Sequence, residues 1–186
     1  MIELITGPMF SSKTTTLLSK LERAVIARKR VVLIRPIVDT RKFLMHSSEN
    51  DLKIDDRIII VTTDDLLNLN TDEFDVIGID EGQFHNHLKS FCVRELKDKK
   101  QIYIAALNAT SEQVMFKEII DIFPYCDEII KLNAVCMKTG NDVANYTHYI
   151  GNGIKKDDVL VGNTEEYEAL CFDAAEEFFE EDKIDD

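Results

Sequence analysis

The stretch Gly7-Pro8-Met9-Phe10-Ser11-Ser12-Lys13-Thr14 combines residue types and spacing that can do chemistry on a phosphate. An apolar run, Ile2 to Ile5, precedes it and a helical pattern follows. This is the strand–turn–helix setting of a P-loop, G-x-x-x-x-G-K-[ST]. Such a turn points backbone N–H groups inward around an anionic phosphate at a helix N-terminus. Lys13 then reaches the β- and γ-phosphates, and the Thr14 hydroxyl binds Mg²⁺. Ser12 stands where the motif has its second glycine. If the backbone is left-handed there, a Cβ costs about 1–2 kcal/mol. The reading adopted is that the loop tolerates this small side chain at a modest loss of affinity.

A second acidic element supports the first. Phe74-Asp-Val-Ile-Gly-Ile-Asp80-Glu81-Gly-Gln83-Phe84 is an apolar strand ending in two carboxylates. Taken alone it reads as a strand running into a solvated acidic turn. Beside a P-loop, one acid holds Mg²⁺ through water and the next takes the proton of an attacking hydroxyl or water. Val38-Asp39-Thr40-Arg41 follows the second apolar run. Asp39 there is placed to orient Mg²⁺-bound water, and Arg41 to neutralise charge on a transferring phosphoryl group. Ligands of open α/β sheets bind at the carboxyl ends of strands, so these motifs are expected to meet in one crevice.

The elements that must position these residues are legible as alternating patterns. Strands are expected at Glu3–Thr6, Val31–Arg35, Arg57–Val61, Val76–Asp80 and Ile102–Ala106. Their continuous apolar character suits strands buried on both faces of a mainly parallel sheet. Thr14–Arg28 carries Leu17, Leu18, Leu21, Val25 and Ile26 at helical spacing, and His87–Asp98 reads as a further helix. Asp64–Leu69 reads as a short helical turn, and Asp39–Lys53 as a polar mobile loop. The fold expected is α/β: a P-loop NTPase-like, mainly parallel sheet with helices on both faces. After Phe123-Pro124 the pattern changes to short extended pieces: Glu128–Leu132, Val143–Tyr149, Val159–Val161 and Tyr167–Cys171. The organisation expected is an α/β domain over 1–132, a β-rich subdomain over 133–172 and an acidic tail over 173–186.

Composition limits the functions available. The 186 residues carry a net charge of −13, which argues against nucleic acid as a partner. Much of that charge lies in Asp173–Asp186, read as a solvated tail or frayed helix. No apolar run approaches the 18 residues of a membrane span, and the N-terminus has no signal pattern, so a cytoplasmic protein is expected. The four cysteines, Cys92, Cys126, Cys136 and Cys171, then read as thiols rather than disulfides.

In order along the chain, GPMFSxKTT, VDTR, DEGQF, AALNATxxxxxF, KLNAVCM and VGNxEEY resemble the type II thymidine kinases of cells and large DNA viruses. The resemblance runs from about residue 2 to residue 171. It implies an ATP- and Mg²⁺-dependent kinase acting on the 5′-hydroxyl of thymidine. By the resemblance, Gly7 to Thr14 bind the triphosphate, and Thr14, Asp39 and Asp80 serve Mg²⁺, partly through water. Glu81 is the catalytic base; Asp80 and Gln83 flank it, and Asp39 and Arg41 lie near the phosphates. Phe84, Phe116 and Tyr167 surround the nucleoside, with Ser111 in place of a family aromatic. Asp158, Val159, Leu160, Val161 and Gly162 form a lasso backbone that hydrogen-bonds the base edge. Taken alone, each of these aromatics reads as core packing. The resemblance further implies a homotetramer and feedback by dTTP.

The chain departs from the family pattern at its zinc ligands. Two C-x-x-C pairs are reduced to Cys136-Met-Lys-Thr139 and Cys171-Phe-Asp-Ala174. Tetrahedral structural zinc needs four good ligands, so the sequence argues against it; Cys136 and Cys171 are what would remain for one. Gly82 replaces an alanine and is expected to loosen the backbone beside Glu81. Thr147 keeps the family threonine, while His148 and Tyr149 replace basic residues. Three alternatives stay open: a binding-only relative without turnover, a deoxynucleoside kinase of shifted specificity, and an unrelated P-loop ATPase.

Overall fold

The computed structural model describes residues 1–39, 54–151 and 166–179. Six strands form one parallel sheet: β1 (Ile2–Gly7), β2 (Val31–Arg35), β3 (Ile58–Thr62), β4 (Val76–Ile79), β5 (Gln101–Leu107) and β6 (Glu128–Lys131). Their spatial order is β3-β2-β4-β5-β1-β6. Three helices cover the sheet: α1 (Lys13–Ile26), α2 (Leu88–Lys97) and α3 (Lys117–Ile122). Side chains alternate across each strand, so one sequence run feeds two cores. Ile5, Leu33, Val76 and Ala105 face α1 and pack with Leu17, Leu18 and Leu21. Leu4, Ile34, Ile77 and Ile104 face the other way, onto Leu88 and Phe91 of α2 and Ile119 and Ile122 of α3. Helices on both faces explain why the central strands read as unbroken apolar runs. β3 lies at the sheet edge, and there Ile59 and Ile60 are about half exposed.

A second, antiparallel sheet pairs β7 (Tyr146–Tyr149) with β8 (Tyr167–Leu170), and α4 (Phe172–Phe179) follows it. Ala134, Cys136, Ala144, Ala169, Leu170, Cys171 and Ala175 form its small core.

Several sequence expectations change. Asp64–Leu69 holds no helix, only a turn closed by Leu69 N–H to Leu66 O at 3.3 Å. Asp65 accepts the Asn68 N–H at 3.1 Å, and Arg94 donates to the carbonyls of Leu67 and Leu69 at 2.6 and 3.0 Å. Side-chain partners thus use the backbone groups a helix would need. The expected strand Val143–Tyr149 begins only at Tyr146, because Ala144 pairs separately with Ala134. The extended piece expected at Glu128–Leu132 is β6, which lines up parallel to β1 in the large sheet. α3 escaped the sequence reading because six residues hold too little periodicity, only Ile119 and Ile122 pointing inward. The acidic segment from Asp173 is helical to Phe179, anchored by buried Ala175. The expected loop beyond Asp39, the strand Val159–Val161 and the tail from residue 180 lie outside the described residues.

Candidate functional site

The C-terminal ends of β1, β4 and β5 lie side by side, and the chemistry-bearing residues leave the sheet there. Gly7 ends β1 at a point of close approach: a Cβ on it would sit 2.4 Å from the Leu132 carbonyl oxygen. The turn after it is left-handed at Phe10 (φ 64°) and Ser12 (φ 60°, ψ 28°), and α1 begins at Lys13. Ser12 therefore occupies the left-handed conformation that the motif reserves for glycine. The Ser11 hydroxyl and Lys13 Nζ both donate to the Pro8 carbonyl, at 2.8 and 2.6 Å, which closes the turn on itself. The first N–H groups of α1 have no acceptor within the helix, and their dipole favours an anion. The first turn of α1 contains no acidic residue.

The Thr14 hydroxyl donates to Asp80 Oδ1 at 3.1 Å. One comes from the first turn of α1 and the other from the end of β4, so the contact crosses the mouth of the sheet. Asp80 is buried, its N–H held by the Ile34 carbonyl of β2 at 2.9 Å. A hydroxyl and a carboxylate oxygen at this spacing suit Mg²⁺, which takes one or two protein oxygens and completes its shell with water and phosphate. The donor chemistry fits that ion as nucleotide-bound Mg²⁺. Among the described residues, no group of three or more His, Cys, Asp or Glu side chains forms a protein-only metal cage.

Glu81 follows Asp80 in a left-handed conformation, φ 51° and ψ 48°, and is half-buried. Such strain in a residue with a Cβ persists only where its surroundings hold it. Gln83 supplies part of that hold. Its Nε2 donates to Glu81 Oε2 at 2.7 Å, and its Oε1 accepts the Leu107 N–H, at the end of β5, at 3.0 Å. Gln83 thus faces Glu81 and β5, although the sequence reading set it among the phosphate contacts. Gly82 is buried, and a Cβ added to it would lie 2.7 Å from Ile104 Cγ2.

Asp39 is buried and ion-paired with Arg35, Nη2 to Oδ2, at 2.7 Å. Arg35 was missing from the sequence candidates; its signal was a lone cation closing the buried run Val31–Ile34. Phe84 is half-buried beside this turn. Phe116 packs partly buried against the core on the α2–α3 side, the bland role each aromatic has when read alone. Half-buried Ser111 offers its carbonyl to Gln113 Nε2 at 3.4 Å. Tyr167 packs edge-on to Tyr149, ring centres 5.3 Å apart. Burial, with Glu166 nearby, raises the Tyr167 phenol above its ordinary range. Arg41, Asp158, Val159, Leu160, Val161 and Gly162 lie outside the described residues. His85, next to Phe84, is fully buried, and burial pushes its imidazole down to about 4 against the pull of Asp80, Asp64 and Glu81.

In the small sheet, Cys136 and Cys171 are both buried, and the Thr139 hydroxyl lies 3.5 Å from Cys171 Sγ. Burial pushes the Cys136 thiol up, but hydrogen bonds from Thr139 and Cys171 outweigh it and hold the thiol below its ordinary range. Two thiols and a threonine hydroxyl do not make the donor set of tetrahedral structural zinc. Cys136 and Cys171 belong to the small core with Ala134, Ala144, Ala169 and Ala175.

The family model described as thymidine kinase matches residues 1–174. The chain belongs to the thymidine kinase family. It is 34% identical over 173 residues to a thymidine kinase of Variola virus, covering 91% of this chain and 93% of that protein. It is 37% identical over 174 residues to one from Bacteroides thetaiotaomicron, covering 91% and 84% respectively. A thymidine kinase of Myxoma virus matches at 32% over 175 residues, covering 91% and 93%. The stretch matched to the thymidine kinase family takes in the whole parallel sheet, the turn from Gly7 to Thr14, the Asp80–Phe84 segment and both strands of the small sheet.

Proposed function

We propose that the protein is a thymidine kinase that transfers the γ-phosphoryl group of ATP to the 5′-hydroxyl of thymidine, giving dTMP and ADP. The observation that carries this reading is the Thr14–Asp80 contact beside Glu81, at strand ends within a chain matched to that family over residues 1–174. The loop from Gly7 to Thr14 holds the triphosphate with backbone N–H groups, and Lys13 turns from the Pro8 carbonyl to the β- and γ-phosphates. Thr14 and Asp80, with Asp39 nearby, would hold Mg²⁺, which would supply charge neutralisation on the phosphates. Glu81 accepts the proton of the 5′-hydroxyl as its oxygen bonds to the γ-phosphorus; the bond from that phosphorus to the β-bridging oxygen breaks, and ADP leaves. Arg41 steadies the charge on the transferring group. Catalysis of this kind is mainly positioning and electrostatics.

Phe84, Phe116 and Tyr167 supply flat surface to the nucleoside, with Asp158 to Gly162 meeting the base edge, as a flat uncharged base requires. The same reading divides the chain into a kinase domain over 1–132, a lasso subdomain over 133–172 and an acidic tail. It takes the protein as a cytoplasmic homotetramer under feedback by dTTP. The test is ADP release by purified protein with ATP and Mg²⁺, with and without thymidine. Thymidine-dependent release supports the reading. ADP release that ignores thymidine points to a plain ATPase, and release with another deoxynucleoside points to shifted specificity.

A further inference from the structure

Backbone N–H groups of a phosphate loop ordinarily face the anion. One of them here is taken by a side chain. The Met9 N–H donates to the Thr147 hydroxyl at 3.0 Å, in a buried contact between residues 138 positions apart. Thr147 is itself buried, on β7 and paired in register with Ala169 of β8. Its carbonyl lies 3.5 Å from Gln113 Nε2, on the turn that leads from β5 toward α3. The next loop residue, Phe10, is left-handed and packs against the Ala134–Cys136–Ala144–Ala169 core of the small sheet. Gly7 is pressed against the Leu132 carbonyl, where the chain leaves β6. At positions 7, 9 and 10 the loop is therefore held from outside by the segment that begins at Leu132, and at position 9 by one side-chain oxygen.

We infer that Thr147 is a positioning residue that couples the triphosphate loop to the nucleoside-binding subdomain. The Thr147 oxygen takes one N–H out of the phosphate-facing set and so fixes which way the Met9 peptide points. The remaining N–H groups of the turn are then aimed before nucleotide arrives. Removing that oxygen takes away the acceptor of a buried N–H, and an unsatisfied buried N–H is costly enough to drive a rearrangement. The coupling is reciprocal, as linkage requires. Thymidine bound against the small sheet steadies β7 and strengthens nucleotide binding, and nucleotide strengthens thymidine binding by the same factor. This second half rests on the proposed function; the positioning of Met9 does not.

The experiment compares Thr147→Val, which keeps the shape and removes the acceptor, with Thr147→Ser, which keeps the acceptor. ADP binding with Mg²⁺ is titrated calorimetrically, with and without thymidine, and KM is measured for each substrate. The expected result for Thr147→Val is ADP binding weakened about 10-fold, KM for ATP raised similarly, and the mutual enhancement with thymidine lost. Thr147→Ser is expected within about 2-fold of wild type. Wild-type ADP binding in Thr147→Val, or a change confined to KM for thymidine, overturns the inference. ADP binding is read directly, so an absence of thymidine turnover in the wild type counts against the substrate reading and leaves the Met9 test legible. If Thr147→Val does not fold, amide exchange of Met9 in the wild type replaces it. Slow exchange relative to the surrounding loop is expected, and exchange as fast as its loop neighbours overturns the inference.

Discussion

The Gln83 side chain bridges Glu81 and the end of β5, its amide donating to Glu81 Oε2 at 2.7 Å while its carbonyl oxygen takes the Leu107 N–H at 3.0 Å. A carboxylate in a strained left-handed residue is thereby tied to the rigid parallel sheet. Gln83→Glu keeps the acceptor for Leu107 but replaces the donor with a second carboxylate. Loss of one charge-assisted hydrogen bond and like-charge repulsion predict a fall in kcat of about 10- to 100-fold, with KM for both substrates changed by less than about 3-fold. Steady-state kinetics check this, and unchanged kcat would show that Glu81 needs no such support.

The Thr14–Asp80 contact predicts a metal phenotype. Thr14→Ala removes the hydroxyl proposed for Mg²⁺ without touching the carboxylate. The Mg²⁺ concentration giving half-maximal rate should rise about 10-fold, and Thr14→Ser should restore it, since either hydroxyl can serve. A magnesium titration of the rate is the check.

Ser12 is left-handed at φ 60°, so Ser12→Gly should relieve strain of about 1–2 kcal/mol. The added freedom of glycine in the unfolded chain offsets part of this, leaving about 0.5–1 kcal/mol. For a chain of this size, Tm is expected to rise by about 1–4 °C, with KM for ATP lowered 2- to 5-fold. A fall in Tm would show that the serine side chain contributes more than its backbone costs.

Buried His85 predicts a pH dependence of stability. Its folded pKa, about 4, lies below the ordinary 6.5, so the unfolded chain binds the extra proton first as pH falls. The stability tied to the neutral ring is fully present above pH 6.5 and is lost progressively down to about 4, in total about 3 kcal/mol. The charged or titratable groups acting on the ring are Asp64 and Glu81, with the Asp80 backbone also against it. His85→Phe should flatten the Tm-versus-pH curve between pH 6.5 and 4 relative to wild type. Equal slopes for the two proteins would rule out this histidine as the source.

The parallel sheet and its two-sided cover were legible because each central strand had to be apolar on both faces, as Val31–Ile34 and Ile77–Ile79 are. The loop at Gly7–Thr14 and the acids at 80 and 81 were legible because local sequence fixes both the turn and the strand end. Long-range contacts were not. Nothing in the string around Met9 announces that its N–H meets Thr147, and Arg35 read as the end of a strand rather than the partner of Asp39. Gln83 stands out in the sequence, but the direction of its side chain depends on where β5 ends, which is a tertiary fact. Short elements such as α3 fall below the length at which periodicity carries information.

In the proposed reaction Glu81 takes the proton of the thymidine 5′-hydroxyl. Single-turnover formation of dTMP, comparing wild type with Glu81→Gln, measures it most directly. Glutamine keeps the size and removes the base. Rapid dTMP formation is expected in the wild type, and a rate lowered about 10²- to 10⁴-fold in Glu81→Gln, with ADP binding intact. A near-wild-type rate in Glu81→Gln would contradict this role.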